Sequence, residues 1–430
     1  MKEYPLFIIY LVAFSWLVTR IRFFSSSDLS RPQLIILFLL KVMAGIFYGW
    51  IGVYYGGLAQ MQDTWSFHTG SIQEYHLLFT NPTEYFTNIF HNPYDKGLEK
   101  FFGANDSYWN DLKGNVLIKL FSVFNIFSFG YYYVNVIFYS FISLFGAVAI
   151  YKVMNHAFPG RKIVILLSTF LLPSFLYWSS GLHKEGLIFT GISLVIYSIY
   201  FSQLERKMSW RRGLMLILGL LILLAMRNFL LVIIFPALIA WMLAHYWPKK
   251  NLAIFAGVYM VFAILFFTAR FITPALDFPQ AVVEKQKAFL QMQGGNSSLP
   301  ITQLDPTALS FIRNTPEAIN LSSIRPYPSD VKHILSLAAA IEIDVLLILF
   351  LLFLILHRGP WRSPNNLVYF CLFFSLSVLM AIGFSVNNLG AIVRYRSIVL
   401  PLLIIPMAAS LDWQRLGKLF NENINKNNNI

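Results

Sequence analysis

Apolar runs long enough to cross a bilayer alternate along this chain with short polar breaks. A crossing helix takes about 20 mostly apolar residues, fewer where the bilayer thins. About eleven stretches meet that criterion. They lie near 4–19, 33–55, 131–154, 163–180, 185–203, 213–226, 229–247, 251–269, 335–357, 366–386 and 397–411. The pattern therefore predicts an all-α, polytopic integral membrane protein.

Cations orient the spans. Arg20, Arg22 and Arg31 follow the first, and Lys152, Arg161 and Lys162 the third. Arg206, Lys207, Arg211 and Arg212 follow the fifth, and Lys249 and Lys250 the seventh. Arg358 and Arg362 follow the ninth, Arg415 and Lys418 the last. If spans alternate, all of these loops share one side, which the positive-inside rule makes cytoplasmic. The N-terminus is then expected outside and the C-terminus inside. Residues 1–420 read as one transmembrane domain with two long outer-face loops, 56–130 and 271–334, and the Asn-rich residues 421–430 as a disordered cytoplasmic tail. Within the first loop, the aromatic stretch Pro82 to Phe90 is expected at the membrane interface, and the short apolar run Val116 to Phe127 as an interfacial or re-entrant helix. A Gly294-Gly295-Asn296-Ser297-Ser298 turn is expected in the second.

Composition agrees with this class and narrows the partners. Of 430 residues 57% are hydrophobic and 12% charged, about half the charged share of a soluble domain. The net charge of +13 is scattered through inter-helix loops, which fits orientation and anionic membrane lipids, not nucleic acid. A single cysteine, Cys371, excludes an intrachain disulfide and a Cys-based metal cluster. No phosphate-binding loop, dinucleotide fingerprint, His-Glu-x-x-His or Gly-x-Ser-x-Gly signature occurs.

Some cations defy the topology. Lys184, Arg227, Arg270, Arg325, Arg394 and Arg396 lie on the outer side yet close to span ends. An anionic ligand such as a lipid-linked phosphate is the simplest reason for them. Asp63 follows the second span by a few residues and suits a general base, a ligand for a divalent cation, or an ordinary helix N-cap. That divalent cation is the one cofactor the chain suggests. His68, five residues on, lies roughly 140° around a helix from Asp63, so the two converge only if the stretch is not a regular helix. Ser179 to Gly186 forms a tight outer turn carrying His183, Lys184 and Glu185, read either as a charged site or as a polar hairpin tip. Arg394-Tyr395-Arg396 offers two guanidinium forks at the outer rim, for phosphate oxygens or lipid headgroups. Glu342 and Asp344, inside a span, are functional candidates or counter-ions to the arginines.

These patches resemble polytopic glycosyltransferases of the GT-C type and related bacterial polysaccharide polymerases. Asp63 with Trp65 and His68 looks like the acidic motif of their first outer loop. The Gly181 to Glu185 turn is similar to a Ser-Gly-x-x-Lys-Asp/Glu turn in such enzymes, and Arg394-Tyr395-Arg396, followed by Pro401, to an Arg-Tyr-Arg rim motif. The chain departs from the pattern in placing its acid after the second span and in lacking an Asp-x-Asp pair. The resemblance implies transfer from a polyprenyl-phosphate-linked sugar to a glycan acceptor on the outer face of a bacterial cytoplasmic membrane. Asp63 and His68 would be catalytic, and His183, Lys184, Glu185, Arg227, Arg325, Arg394, Tyr395 and Arg396 would hold substrate. A polymerase or ligase of lipid-linked repeat units uses the same chemistry. A transporter or flippase of an anionic lipid would use the cations without a base.

Overall fold

Helices account for almost all of the computed structural model, which describes residues 2–54, 63–95, 98, 100–103, 107–292, 297–357 and 366–417. The cations Arg358, Arg362 and Lys418, the 421–430 tail, residues 56–62 and the Gly294-Gly295-Asn296 part of the expected turn lie outside the described residues. Among those described there are two isolated β-bridges, Ser298 to Asn388 and His357 to Leu411, and no named strand.

The helices follow the apolar runs. They are α1 (Glu3–Arg20), α2 (Arg31–Tyr54), α3 (Asp63–Thr80), α4 (Tyr108–Ser128), α5 (Tyr132–Ala157), α6 (Lys162–Phe170), α7 (Pro173–Ser180), α8 (Lys184–Leu204) and α9 (Trp210–Met226). After them come α10 (Asn228–Tyr246), α11 (Asn251–Thr268), α12 (Phe278–Gln291), α13 (Ala308–Ile319), α14 (Ile334–Leu356), α15 (Asn366–Ser385), α16 (Leu389–Ser397) and α17 (Leu400–Ala409). Among the described residues eight helical stretches are long and apolar enough to cross a membrane, and up to ten if each bent pair is one crossing. The bent pairs are α6 with α7, at 52°, and α16 with α17, at 58°. Pro173 opens α7 and Pro401 sits in the first turn of α17, where a residue without an N–H is tolerated but the preceding helix cannot run on. The remaining expected span, 213–226, is α9, a helix of 17 residues.

Both outer segments, expected as long loops, are substantially helical. α3 packs along α4. The Val116 to Phe127 run belongs to the longer α4, which is not among the helices apolar enough to cross. In the second segment Asp277 caps α12 by accepting from the Gln280 N–H at 3.0 Å, and Thr307 caps α13 by accepting from Ser310 at 3.3 Å. Pro82 to Phe90 is a short helix and a 3₁₀ turn presenting Phe86 and Phe90 to the outside.

The core lies along α5 and α8. In α5 72% of the span is buried inside the protein, against 6% in peripheral α1. α8 packs between α5 and α9. Its approach to α9 depends on two facing glycines, because a Cβ on Gly219 would lie 2.7 Å from the Gly191 carbonyl oxygen. Gly213, near the start of α9, has open space around it. Gly219→Ala should therefore destabilise the protein by about 1–3 kcal/mol through backbone displacement. Gly213→Ala should be neutral or stabilising by up to about 1 kcal/mol through helix propensity. Thermal unfolding of the two variants in detergent checks the contrast.

Candidate functional site

The turn between α7 and α8 is built on residues that let the chain fold tightly. A Cβ on Gly181 would lie 2.1 Å from the Tyr48 ring, so glycine is what allows α2 to pack beneath the turn. Lys41, deep in the apolar run of α2, fastens the end of α7. Its ammonium donates to the Ser179 carbonyl and hydroxyl at 2.9 Å each and to the Ser180 hydroxyl at 3.3 Å. The Tyr139 hydroxyl donates to the His183 carbonyl. Held from three sides, the turn presents His183 and then Glu185, in the first turn of α8, with its carboxylate fully buried.

A lone buried carboxylate is costly, and this one is surrounded. The Glu185 Oε2 receives the His183 Nδ1, and its Oε1 receives the Arg227 guanidinium at 2.5 Å. Arg227 stands at the break between α9 and α10, where the chain is extended and the guanidinium can turn inward. It lies 3.8 Å from the centre of the Tyr395 ring, a cation–π contact. The Arg394 Nε is 3.7 Å from Glu185 Oε1, and its NH1 donates to Asp63 Oδ2 at 2.9 Å. His183 Nε2 lies 3.5 Å from the same Asp63 oxygen. The result is a continuous chain of groups, Asp63–His183–Glu185, clamped by Arg394 and Arg227.

Asp63 is half-exposed at the start of α3. Thr64 meets the Tyr132 hydroxyl at 2.7 Å, and Trp65 donates to the Gly49 carbonyl at 2.9 Å and stacks on Tyr132 at 4.0 Å. These contacts fix where α3 begins. Burial works to raise the Asp63 carboxyl pKa, but the His183 hydrogen bond and the Arg394 charge outweigh it and hold the group well below the usual carboxylate range.

A cavity of about 780 Å³ opens beside this cluster. One end carries Asp63, Arg394, Tyr395, Asn387 and Asn388, together with Lys113 of α4 and Lys285 of α12. The other end runs between span helices and is lined by Ala44 and Phe47 of α2, Tyr177 of α7, and Leu335, Ala338 and Ala339 of α14. Glu342 sits on that apolar wall, 6% exposed, accepting from the Ser174 N–H at 3.0 Å.

The structure separates the predicted residues. Asp63, His183, Glu185, Arg227, Arg394 and Tyr395 come together, with His183, Glu185 and Arg227 behind the cavity wall. Lys184 adjoins them, its ammonium 4.9 Å from the Phe67 ring. His68 does not converge with Asp63, because α3 is a regular helix from Asp63 onward. Its ring instead lies against Trp65 and Tyr132, 5.8 and 5.2 Å between centroids, and burial pushes its pKa down to about 4. Arg396 is two residues from Arg394 on α16, about 200° around the helix. It points away from the cavity, wholly buried, and donates to the Ser322 and Arg325 carbonyls. Arg325 pairs with Asp330 at 3.5 Å, near the cavity mouth where Pro326 and Asp330 line the wall. Arg270 donates to the Pro306 carbonyl at 3.3 Å, closing the second outer segment. Asp344 is exposed on the outside of α14.

Among the described residues no group of three or more His, Cys, Asp or Glu is placed to hold a metal ion. Asp63 does not fit a divalent-cation site well, since its Oδ2 already faces a guanidinium. Sequence reading passed over Lys41, Lys113 and Lys285. The only signal for Lys41 is a charge inside an apolar run. Lys113 and Lys285 lie in long outer segments, where the positive-inside rule gives a cation no topological meaning. No family model, curated protein or solved structure matches the chain.

Arg227→Leu should destabilise the protein by about 3–5 kcal/mol, since it strips a buried carboxylate of its closest guanidinium. Arg227→Leu combined with Glu185→Leu should recover much of that loss. Thermal unfolding of both variants in detergent measures the coupling, and additive losses would mean the pair is not the clamp described.

Proposed function

We propose that this protein is a membrane glycosyltransferase. It would take a sugar from a polyprenyl phosphate or diphosphate carrier on the outer face of a bacterial cytoplasmic membrane, for assembly of a cell-surface glycan. The observation that carries the reading is one cavity with two characters: an acid and a guanidinium at one end, a span-lined apolar trough at the other. A lipid-linked phosphate has the same two characters. The trough between α2 and α14 would take the prenyl tail, and Arg394 the phosphate. The alternation of cationic loops supports eleven crossings, counting α9 and each bent pair as one, with the N-terminus outside and the C-terminus cytoplasmic.

The chemistry follows from how Arg394 is shared. With the cavity empty of anion, Arg394 neutralises Asp63 and makes it a poor base. An entering phosphate competes for the guanidinium, and Asp63 gains basicity as its partner is drawn off. The acceptor hydroxyl then loses its proton to Asp63 while its oxygen attacks the anomeric carbon. The bond from that carbon to the phosphate oxygen breaks, and the phosphate leaves with the electron pair. Arg394, backed by Arg227 through Tyr395 and Glu185, stabilises the charge that develops there. His183, donating a hydrogen bond from Nδ1 to Glu185, directs Nε2 at Asp63, so a proton taken by Asp63 has an onward acceptor. Its imidazolium would be stabilised by the buried Glu185, in the manner of an Asp–His pair.

Asp63→Asn should lower the rate of sugar transfer from a polyprenyl-phosphate-linked donor by about 10²–10⁴-fold, the usual contribution of a positioned base. Binding of the lipid phosphate should hold or tighten, since the neutral side chain no longer competes for the Arg394 guanidinium. The assay is purified protein in vesicles with radiolabelled lipid-linked sugar. Transfer at the wild-type rate in this variant would remove the base role. Lipid movement across the vesicle without transfer would favour a transporter that uses the arginines alone.

A further inference from the structure

Lys113 and Lys285 belong to separate outer segments, α4 and α12, yet both line the cation-rich end of the cavity. Neither has a carboxylate within ion-pair distance among the described residues. The Lys113 ammonium is engaged by Asn110 of its own helix, and that of Lys285 lies 5.4 Å from the Phe289 ring on its own helix. Asp111, the acid nearest Lys113 in sequence, accepts from the Tyr94 hydroxyl at 2.9 Å. The two lysines thus stand at the cavity wall with no carboxylate paired to either.

We propose that Lys113 and Lys285 form a second anion subsite, distinct from Arg394, which takes the second phosphate of a diphosphate-linked polyprenyl substrate. The inference rests on the transferase reading and narrows its carrier. The charge count favours it. Lys113, Lys184, Lys285, Arg227 and Arg394 surround this end, against Asp63, Asp111 and Glu185. With the three lysines protonated, as an anion bound among them would favour, that leaves two positive charges in excess. A sugar joined to a lipid through a monophosphate carries one negative charge there; through a diphosphate it carries two. The Lys113 amine, pushed down to about 7 by burial and by the nearby charges of Lys285, Lys184 and Arg227, shows how crowded the cations are without an anion between them.

The test compares binding of undecaprenyl diphosphate and undecaprenyl monophosphate to the full-length protein in detergent, by titration. The wild type should prefer the diphosphate by about tenfold or more, as one added charge-assisted contact implies. A Lys113→Gln, Lys285→Gln double variant should lose that preference and keep its monophosphate affinity, which also reports that it is folded. A Lys113→Arg, Lys285→Arg variant should retain the preference. Arg394→Ala should weaken binding of both lipids. Equal binding of the two lipids by the wild type, or a preference that survives the double Gln substitution, overturns the subsite while leaving the Arg394 reading intact. Failure of the wild type to bind either lipid overturns both.

Discussion

A carboxylate with no exposed surface, Glu185, sits where a turn meets the start of a long apolar helix, and the charged groups beside the cavity are arranged around it. Buried alone it would cost several kcal/mol. Its three partners come from three parts of the chain: His183 from its own turn, Arg227 from the break between α9 and α10, Arg394 from α16. Each of those parts breaks or bends a run of helix, and each break turns a charged side chain inward. The bends that shorten the transmembrane helices are the same features that bring the charges together.

From this constraint the site acquires its particular electrostatics. Arg394 touches both carboxylates, and so ties the half-exposed Asp63 to the buried Glu185. Any anion that claims Arg394 changes the charge felt by Asp63. In the proposed reaction, binding and proton transfer would be coupled through one guanidinium, without a moving domain. The apolar trough adds selectivity of a different kind, since a soluble phosphate would fill the cationic end and leave the trough empty.

The positions of the long apolar helices were legible because run length is a one-dimensional signal. The convergence of Asp63, the 183–185 turn and Arg394 was legible too, from charges standing on one side of the bilayer where topology did not require them. Helical phase was not carried through. His68 and Arg396 stand at 140° and 200° from the residues they were grouped with, and regular helices send both elsewhere. Lys41 was hidden within an apolar run, where its role is to fasten a turn 138 residues away. Lys113 and Lys285 carry no sequence signal of their own, since long loops carry cations freely, and only packing of α4 and α12 around one cavity distinguishes them from their neighbours.

Electron cryomicroscopy of the protein in lipid nanodiscs with an undecaprenyl phosphate tests the central claim most directly. The account predicts phosphate density within hydrogen-bonding reach of the Arg394 guanidinium, with the tail running between α2 and α14 past Ala44 and Ala339. Lipid density lying elsewhere, with Arg394 still paired to Asp63 and the trough empty, would contradict it.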